Sequence, residues 1–253
     1  MTGEYTIEMI RSRHSVRSYS TDKVTDDLRR ALQAEVTMIN THEAGLNFQL
    51  VFDNDDPFRG FTRSYGFFKN ARNYLACVID PTFPNTEERA GFFAEQFVMK
   101  ATSLGLGTCF IGGTFSEEHV DVTRHVYEKL PFIVSFGFEA KSGPGVIARL
   151  ASSMIHRHQL SPRDFFEGGD MKYQEAKEKY PWLPESLDAL ACAPSSLNKQ
   201  PVRVTLDENG MLTARSIPAT PKSAIDLGIG KFNFAAVAPG DWEWGEGAPF
   251  YTL

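Results

Sequence analysis

Leu187-Asp188-Ala189-Leu190-Ala191-Cys192-Ala193-Pro194-Ser195-Ser196-Leu197-Asn198-Lys199-Gln200-Pro201-Val202-Arg203-Val204-Thr205-Leu206 divides into three pieces. The amphipathic run Leu187 to Cys192 reads as the last turns of a helix. The alternation of Val202, Val204 and Leu206 reads as a strand. Between them Pro194 and Pro201 fix the backbone and exclude helix. Ser195, Ser196, Asn198 and Gln200 set donors and acceptors along this rigid turn. Such a loop either satisfies its own backbone or offers its polar groups to a ligand. The rest of the chain decides between the two.

Working outward, helices and strands of similar kind flank the stretch on both sides. Ile7 to Ile10 read as a short helix. Thr25 can cap a helix from Asp26, with Leu28, Ala31, Leu32 and Val36 on its apolar side. Leu46 to Phe52 read as a strand closed by the acidic turn Asp53-Asn54-Asp55. Tyr74 to Ile79 read as a buried strand from the unbroken apolar run. Thr86 can cap a long helix from Glu87 to Leu104, with Phe93, Phe97, Ala101 and Leu104 toward the core. Phe132 to Phe138 give another strand, and Ile225 to Val237 a final helix. The aromatic tail that follows, Trp242, Trp244, Phe250 and Tyr251, reads as packing.

Composition narrows the class. The 253 residues are enough for one large domain or two small ones. The 20 phenylalanines predict a filled core or an apolar pocket. A net charge of -6 argues against nucleic acid or an anionic membrane as a partner. Cys77, Cys109 and Cys192 are too far apart in sequence to suggest a metal or redox pair. No basic-then-apolar leader opens the chain, and no apolar run reaches bilayer length. A cytoplasmic protein with reduced thiols is expected.

Two further stretches carry chemistry. Arg11-Ser12-Arg13-His14-Ser15-Val16-Arg17 places three arginines, a histidine and two serines in an otherwise acidic chain. Guanidinium forks and a hydroxyl together suit a phosphate monoester; a solvated basic face is the alternative. Gly105-Leu106-Gly107-Thr108-Cys109-Phe110-Ile111-Gly112-Gly113 follows a helix, not a strand, and lacks the dinucleotide spacing. Its glycines let backbone N–H groups approach a flat ligand, while Gly105 itself suits a helix end. Ser64-Tyr65-Gly66 lie in a Gly- and aromatic-rich loop. His156-Arg157-His158 lack a carboxylate or cysteine partner for a metal and read as a solvated or phosphate-facing basic stretch. No His-Glu-x-x-His or Gly-x-Ser-x-Gly pattern occurs, so hydrolase machinery is not expected.

Two patterns recur. Leu46-Asn47-x-Gln49 matches Leu197-Asn198-x-Gln200, and Gly91-Phe92-x-x-x-Gln96-Phe97 matches Gly228-Ile229-x-x-x-Asn233-Phe234. Their common order suggests two diverged copies of one unit, residues 1–145 and 146–253, folded as a pseudo-dimer within a single domain.

Taken together, Arg13-His14-Ser15-Val16-Arg17, Gly105 to Gly113 and Pro194-Ser195-Ser196-Leu197-Asn198 resemble the motifs of the flavin-dependent nitroreductase family. The resemblance implies an α+β fold, a mixed and largely antiparallel sheet flanked by helices. It implies FMN as cofactor, with its phosphate on the arginine segment and its ring edge near Gly112 and Gly113. In the family the Pro-Ser-x-x-Asn loop comes early in the chain and from the partner subunit. Here His42 to Asn47 occupy that early place without the proline and serines, and the intact loop lies in the second half. This resembles the subgroup in which one chain mimics the usual dimer. The implied flavin-binding residues are Arg13, His14, Ser15, Arg17, Ser64, Tyr65, Gly112, Gly113, Arg157, Pro194, Ser195, Ser196 and Asn198, with no metal ligand and no catalytic side chain. The implied reaction is NADH or NADPH oxidation with ping-pong transfer to a small nitroaromatic, quinone or similar electron-poor acceptor. One chain is expected to suffice for the site, with a homodimer left open. A flavin-binding or regulatory module without turnover, and an interaction scaffold without cofactor, are the alternatives.

Overall fold

The computed structural model describes residues 5–59, 67–141, 160–217 and 222–253. Packing divides the chain into two units. One comprises Arg13–Thr86 and Gln96–His156; the other comprises Met1–Ser12, Glu87–Glu95 and Arg157–Leu253. In element order, α1 is Ile7–Ser12, α2 Asp26–His42, β1 Leu46–Val51, β2 Tyr74–Ile79, α3 Thr86–Ser103, β3 Gly107–Ile111 and β4 Ile133–Gly137. Then come β5 Phe166–Glu167, α4 Gly169–Lys179, α5 Leu183–Ala191, β6 Val202–Leu206, β7 Leu212–Ser216, α6 Ser223–Val237, β8 Gly240–Trp242 and β9 Phe250–Thr252.

In the first unit β1 to β4 form an antiparallel sheet in the order β1-β2-β4-β3. All six residues of β2 are buried, which is why its sequence is an unbroken apolar run. Helix α2 starts where the Thr25 hydroxyl accepts the Leu28 N–H. It buries Leu32, Val36 and Ile39, and is tied to β1 by the Asn40 amide, which bonds both the N–H and the carbonyl of Phe48 at 2.8 Å. Helix α3 departs from expectation at its start. Thr86 is its first residue, and the cap is Asn85 at φ 55°, a left-handed conformation that a short polar side chain tolerates. Phe93 and Leu104, expected in the core, are only partly buried, whereas Phe92, Phe97, Val98 and Met99 are fully so. A helix covered on nearly every side needs no single apolar stripe. Its end follows the glycine signal: Gly105 sits at φ +77°, and the next N–H, of Leu106, returns to Ala101 O at 3.0 Å.

In the other unit β5 runs parallel to β6 and β6 antiparallel to β7, while β8 and β9 pair antiparallel. A single bridge joins Thr213 of β7 to Pro249 beside β9. The core is Phe165, Leu183, Leu187, Leu190, Val204, Leu212, Phe234, Trp242 and Phe250. Most of the aromatic tail packs: Trp242 and Phe250 lie ring to ring at 4.9 Å and Trp244 lies on Phe92, whereas Tyr251 is 52% exposed. Helix α4 and strands β3, β5, β7, β8 and β9 are not among the elements expected from the sequence. Helix α4, for example, is a polar run, Gly-Asp-Met-Lys-Tyr-Gln-Glu-Ala-Lys-Glu-Lys, with one buried residue, Ala176.

The succession α2-β1-β2-α3-β3-β4 recurs as α5-β6-β7-α6-β8-β9. The two sequence patterns fare differently within it. Leu46-Asn47-x-Gln49 lies inside β1, whereas Leu197-Asn198-x-Gln200 lies in the loop before β6, so those four residues do not occupy equivalent places. Gly91 and Gly228 do meet reciprocally. A Cβ on Gly91 would strike the backbone of Ile225, three residues before Gly228, and a Cβ on Gly228 would strike that of Glu88, three residues before Gly91. Helices α3 and α6 therefore cross backbone to backbone at this point.

Candidate functional site

The arginine segment lies along the glycine strand. Ser15 bridges Thr108 in parallel, and the Val16 N–H donates to Thr108 O at 2.8 Å. Gly107 is what lets the segment lie this close, because a Cβ there would come within 2.6 Å of Val16 Cγ2. Downstream, the Lys69 N–H donates to Arg17 O, and the Tyr19 N–H returns to Lys69 O, both at 2.9 Å. The Tyr19 hydroxyl donates to Val16 O at 2.8 Å and lies 2.7 Å from Ser135 Oγ. Burial pushes the Tyr19 phenol well up, so it stays protonated. The segment is thus an extended strand fixed from both sides.

This packing collects Arg13, Ser15 and Arg17 around one buried thiol. Burial raises the Cys109 pKa, while the charges of Arg17 and Arg13 and the Ser15 hydroxyl pull it down. Burial wins, and Cys109 is a neutral core residue rather than a nucleophile. His14, the exposed member of the run, lies 3.1 Å by its Nε2 from Glu139 Oε2. Gly113 has open space where a side chain would stand. Thr21, Lys23, Asp53, Asp55, Asn70 and Arg72 line a cleft of about 350 Å³. Its carboxylate Asp53 is held by Arg29 at 2.6 Å, which keeps its pKa low. Ser64, Tyr65 and Arg157 lie outside the described residues.

The loop Ala193–Pro201 belongs to the other unit. It makes a single turn over Ser196–Asn198, with Leu197, Asn198 and Gln200 all at positive φ, 54°, 51° and 49°. Non-glycine residues adopt this conformation at a cost of order 1 kcal/mol each, so the loop has to be held. The Ser195 hydroxyl oxygen accepts the Gln200 N–H at 2.9 Å, and the Asn198 N–H donates to Ser195 O at 3.0 Å. The Gln200 side chain accepts the Leu160 N–H at 3.1 Å. From α6, Asp226 Oδ1 accepts the Ser196 N–H at 3.0 Å. Some of the loop's polar groups therefore serve its own geometry. Pro194, Ser195, Ser196 and Asn198 are nevertheless all partly exposed, and Leu197 is 59% exposed.

Sequence reading missed the buried polar groups of α6. Asp226 is 4% exposed, and its pKa is raised by burial to about 6 against the Ser196 N–H. Lys231 is fully buried; its ammonium donates to Glu88 Oε1 at 2.6 Å and to the carbonyls of Glu243 and Gly245. The Gly245 N–H completes the set by donating to Glu88 Oε2 at 2.9 Å. Asn233 donates to Glu95. The available signal was charge inside an apolar helix, Ile225-Asp226-Leu227-Gly228-Ile229-Gly230-Lys231-Phe232-Asn233-Phe234, where an unpaired charge is costly.

Comparison with known proteins agrees with this architecture. A crystal structure described as a putative nitroreductase from Thermotoga maritima MSB8 superposes with TM-score 0.59 at 18% identity, over 96% of this chain and 91% of that one. A nitroreductase with bound FMN from Bacteroides fragilis NCTC 9343 matches at TM-score 0.44 and 18% identity, over 54% of this chain and 89% of that chain. A nitroreductase with bound FMN from Desulfitobacterium hafniense DCB-2 matches at TM-score 0.44 and 17% identity, over 55% and 90%. No curated protein matches the sequence significantly. The mixed α+β fold is the one shared with the Thermotoga protein, and the family model described as "Putative TM nitroreductase" matches residues 5–238. The chain belongs to this nitroreductase family.

Proposed function

We propose that this protein is an FMN-dependent oxidoreductase that oxidises NADH or NADPH and reduces small electron-poor acceptors, nitroaromatics or quinones, in ping-pong order. The observation that carries the reading is the arginine segment laid on β3. Two guanidinium groups and a hydroxyl within five residues, fixed by main-chain bonds, form a donor set for a phosphate monoester. The open space at Gly113 is the second support, since a flat ring needs backbone without a side chain. FMN, when bound, supplies the two-electron redox chemistry, and the protein supplies position and electrostatics.

In this reading Arg13, Ser15 and Arg17 donate to the phosphate oxygens. His14 has a carboxylate neighbour in Glu139 and plays the lesser part. Backbone N–H groups at Gly112 and Gly113 face the ring edge, and Ser195, Ser196 and Asn198 behind Pro194 recognise the flavin. Ser64, Tyr65 and Arg157 are assigned to flavin binding with them. No side chain acts as acid or base: solvent supplies the proton that accompanies acceptor reduction. The acceptor is a small molecule, in keeping with a net charge of -6 that disfavours nucleic acid and anionic lipid.

The test is binding followed by reduction. The protein should take up FMN in preference to riboflavin, and anaerobic NADH or NADPH should bleach the flavin band. A charge-assisted hydrogen bond contributes about 1.5–3 kcal/mol. Arg13→Ala should therefore weaken FMN about ten- to a hundred-fold, with no matching loss for riboflavin. Equal affinity for the two flavins refutes the phosphate assignment, and a flavin band indifferent to both nucleotides refutes the activity.

A further inference from the structure

We propose that Asp226 is the positioning residue of the Pro194–Asn198 loop, its buried carboxylate holding the Ser196 N–H and thereby the left-handed turn at Leu197 and Asn198. Three observations carry this. Asp226 Oδ1 accepts the Ser196 N–H at 3.0 Å, a bond from helix to loop across thirty residues of sequence. Among the described residues Asp226 Oδ2 is buried and has no hydrogen-bond partner, so there the carboxylate is compensated by that one bond. The loop it holds has three non-glycine residues at positive φ, a conformation that does not persist without external restraint.

A carboxylate with one bond and one orphan oxygen is a poor way to stabilise a core. A leucine or asparagine at this position would avoid the charge. What the carboxylate does supply is a strong, directional acceptor for a single amide. Its position in the first turn of α6 favours the ionised form, and burial opposes it, bringing its titration to about pH 6. The charged residues on the elements packed against α6 are Lys222 and Lys231 on or beside it, Glu87, Glu88 and Arg89 near its crossing with α3, Glu185 and Asp188 on α5, Arg203 on β6, Arg215 on β7, Asp241 on β8, and Lys199 in the loop. Lys231 is committed to Glu88 and Asp188 to Arg11. Burial and the Ser196 N–H set the Asp226 titration. The loop is therefore held most firmly when Asp226 is ionised, and loosens as it takes up a proton.

The inference concerns the loop; its meaning for flavin binding rests on the function proposed above. Two measurements separate them. In flavin-free protein, the Ser196 amide resonance should titrate with a midpoint near pH 6, and this titration should vanish in Asp226→Asn. A Ser196 amide that is indifferent to pH in the wild-type protein overturns the proposal. With FMN, Asp226→Ala should weaken binding about ten-fold, a lost charge-assisted bond, and Asp226→Asn, which keeps an acceptor oxygen, should recover at least about three-fold of that. Wild-type affinity should fall as pH drops through 6, and that of Asp226→Asn should not. Equal FMN affinity of wild type and Asp226→Ala overturns the positioning role. If the wild-type protein binds no FMN, the proposed function fails, and the Ser196 titration still decides the inference about the loop.

Discussion

Replacing Gly228 by alanine tests the crossing of α3 and α6. A methyl group on Gly228 would run into the carbonyl oxygen of Glu88 and come within 2.8 Å of both the Glu88 carbonyl carbon and the Phe92 nitrogen. These are backbone atoms inside a helix, so no rotamer change can clear them. The helices have to part by roughly 1 Å to restore ordinary contact distances. Overpacking of this kind costs about 1–3 kcal/mol. The same displacement stretches the 2.6 Å bond from Lys231 to Glu88 and loosens the Phe92–Phe232 ring contact at 5.2 Å. A bond between charged groups contributes about 1.5–3 kcal/mol. Alanine returns about 1 kcal/mol through helix propensity. The net loss should be about 2–4 kcal/mol, which lowers Tm by roughly 5–15 °C at this chain length. Thermal and urea unfolding of Gly228→Ala measure it, with Gly113→Ala as the control whose Cβ meets nothing. Gly91→Ala should behave like Gly228→Ala, since its Cβ strikes Ile225 in the reciprocal way. A Gly228→Ala protein as stable as wild type would refute the close crossing.

Other expectations follow from the same structure. Lys231→Met leaves the buried Glu88 carboxyl without its ammonium partner, and should cost about 3–5 kcal/mol; adding Glu88→Gln should recover part of the loss in the same unfolding assay. Between pH 4 and pH 6 the folded protein holds a proton at Asp226 that the unfolded chain has released, so this group's contribution to stability falls as pH rises. Measured against Asp226→Asn, the wild type should lose up to about 3 kcal/mol between pH 4 and pH 8, and parallel stability curves would contradict the buried titration. Gly113→Val should leave Tm unchanged, because its side chain enters open space, yet abolish FMN uptake; unaltered flavin content would reduce the glycine run to a turn.

Much of this protein is written in local sequence. The run Tyr74–Ile79, buried at every position, announces a central strand because only such a strand can be apolar at both parities. Thr25, Gly105 and the prolines at 194 and 201 mark boundaries because capping, left-handed φ and a missing N–H are properties of single residues. The arginine segment, the glycine run and the Pro-Ser-Ser-Leu-Asn loop stand out as candidates for the same reason: each groups its residue types within five to nine consecutive positions. Tertiary structure decided what depends on residues far apart in the chain. Helix α4 and the two-residue strand β5 form because of what packs on them, so their own sequences hold little signal. Leu46-Asn47-x-Gln49 and Leu197-Asn198-x-Gln200 look alike, but one became strand and the other loop, since pairing partners and not composition fix where a strand begins. Lys231 reads as an anomaly in an apolar helix until Glu88, 143 residues away, is placed beside it. The role of Asp226 is likewise invisible until the fold sets its carboxylate beneath the Ser196 amide, because a hydrogen bond across thirty residues leaves no periodicity for a sequence to show.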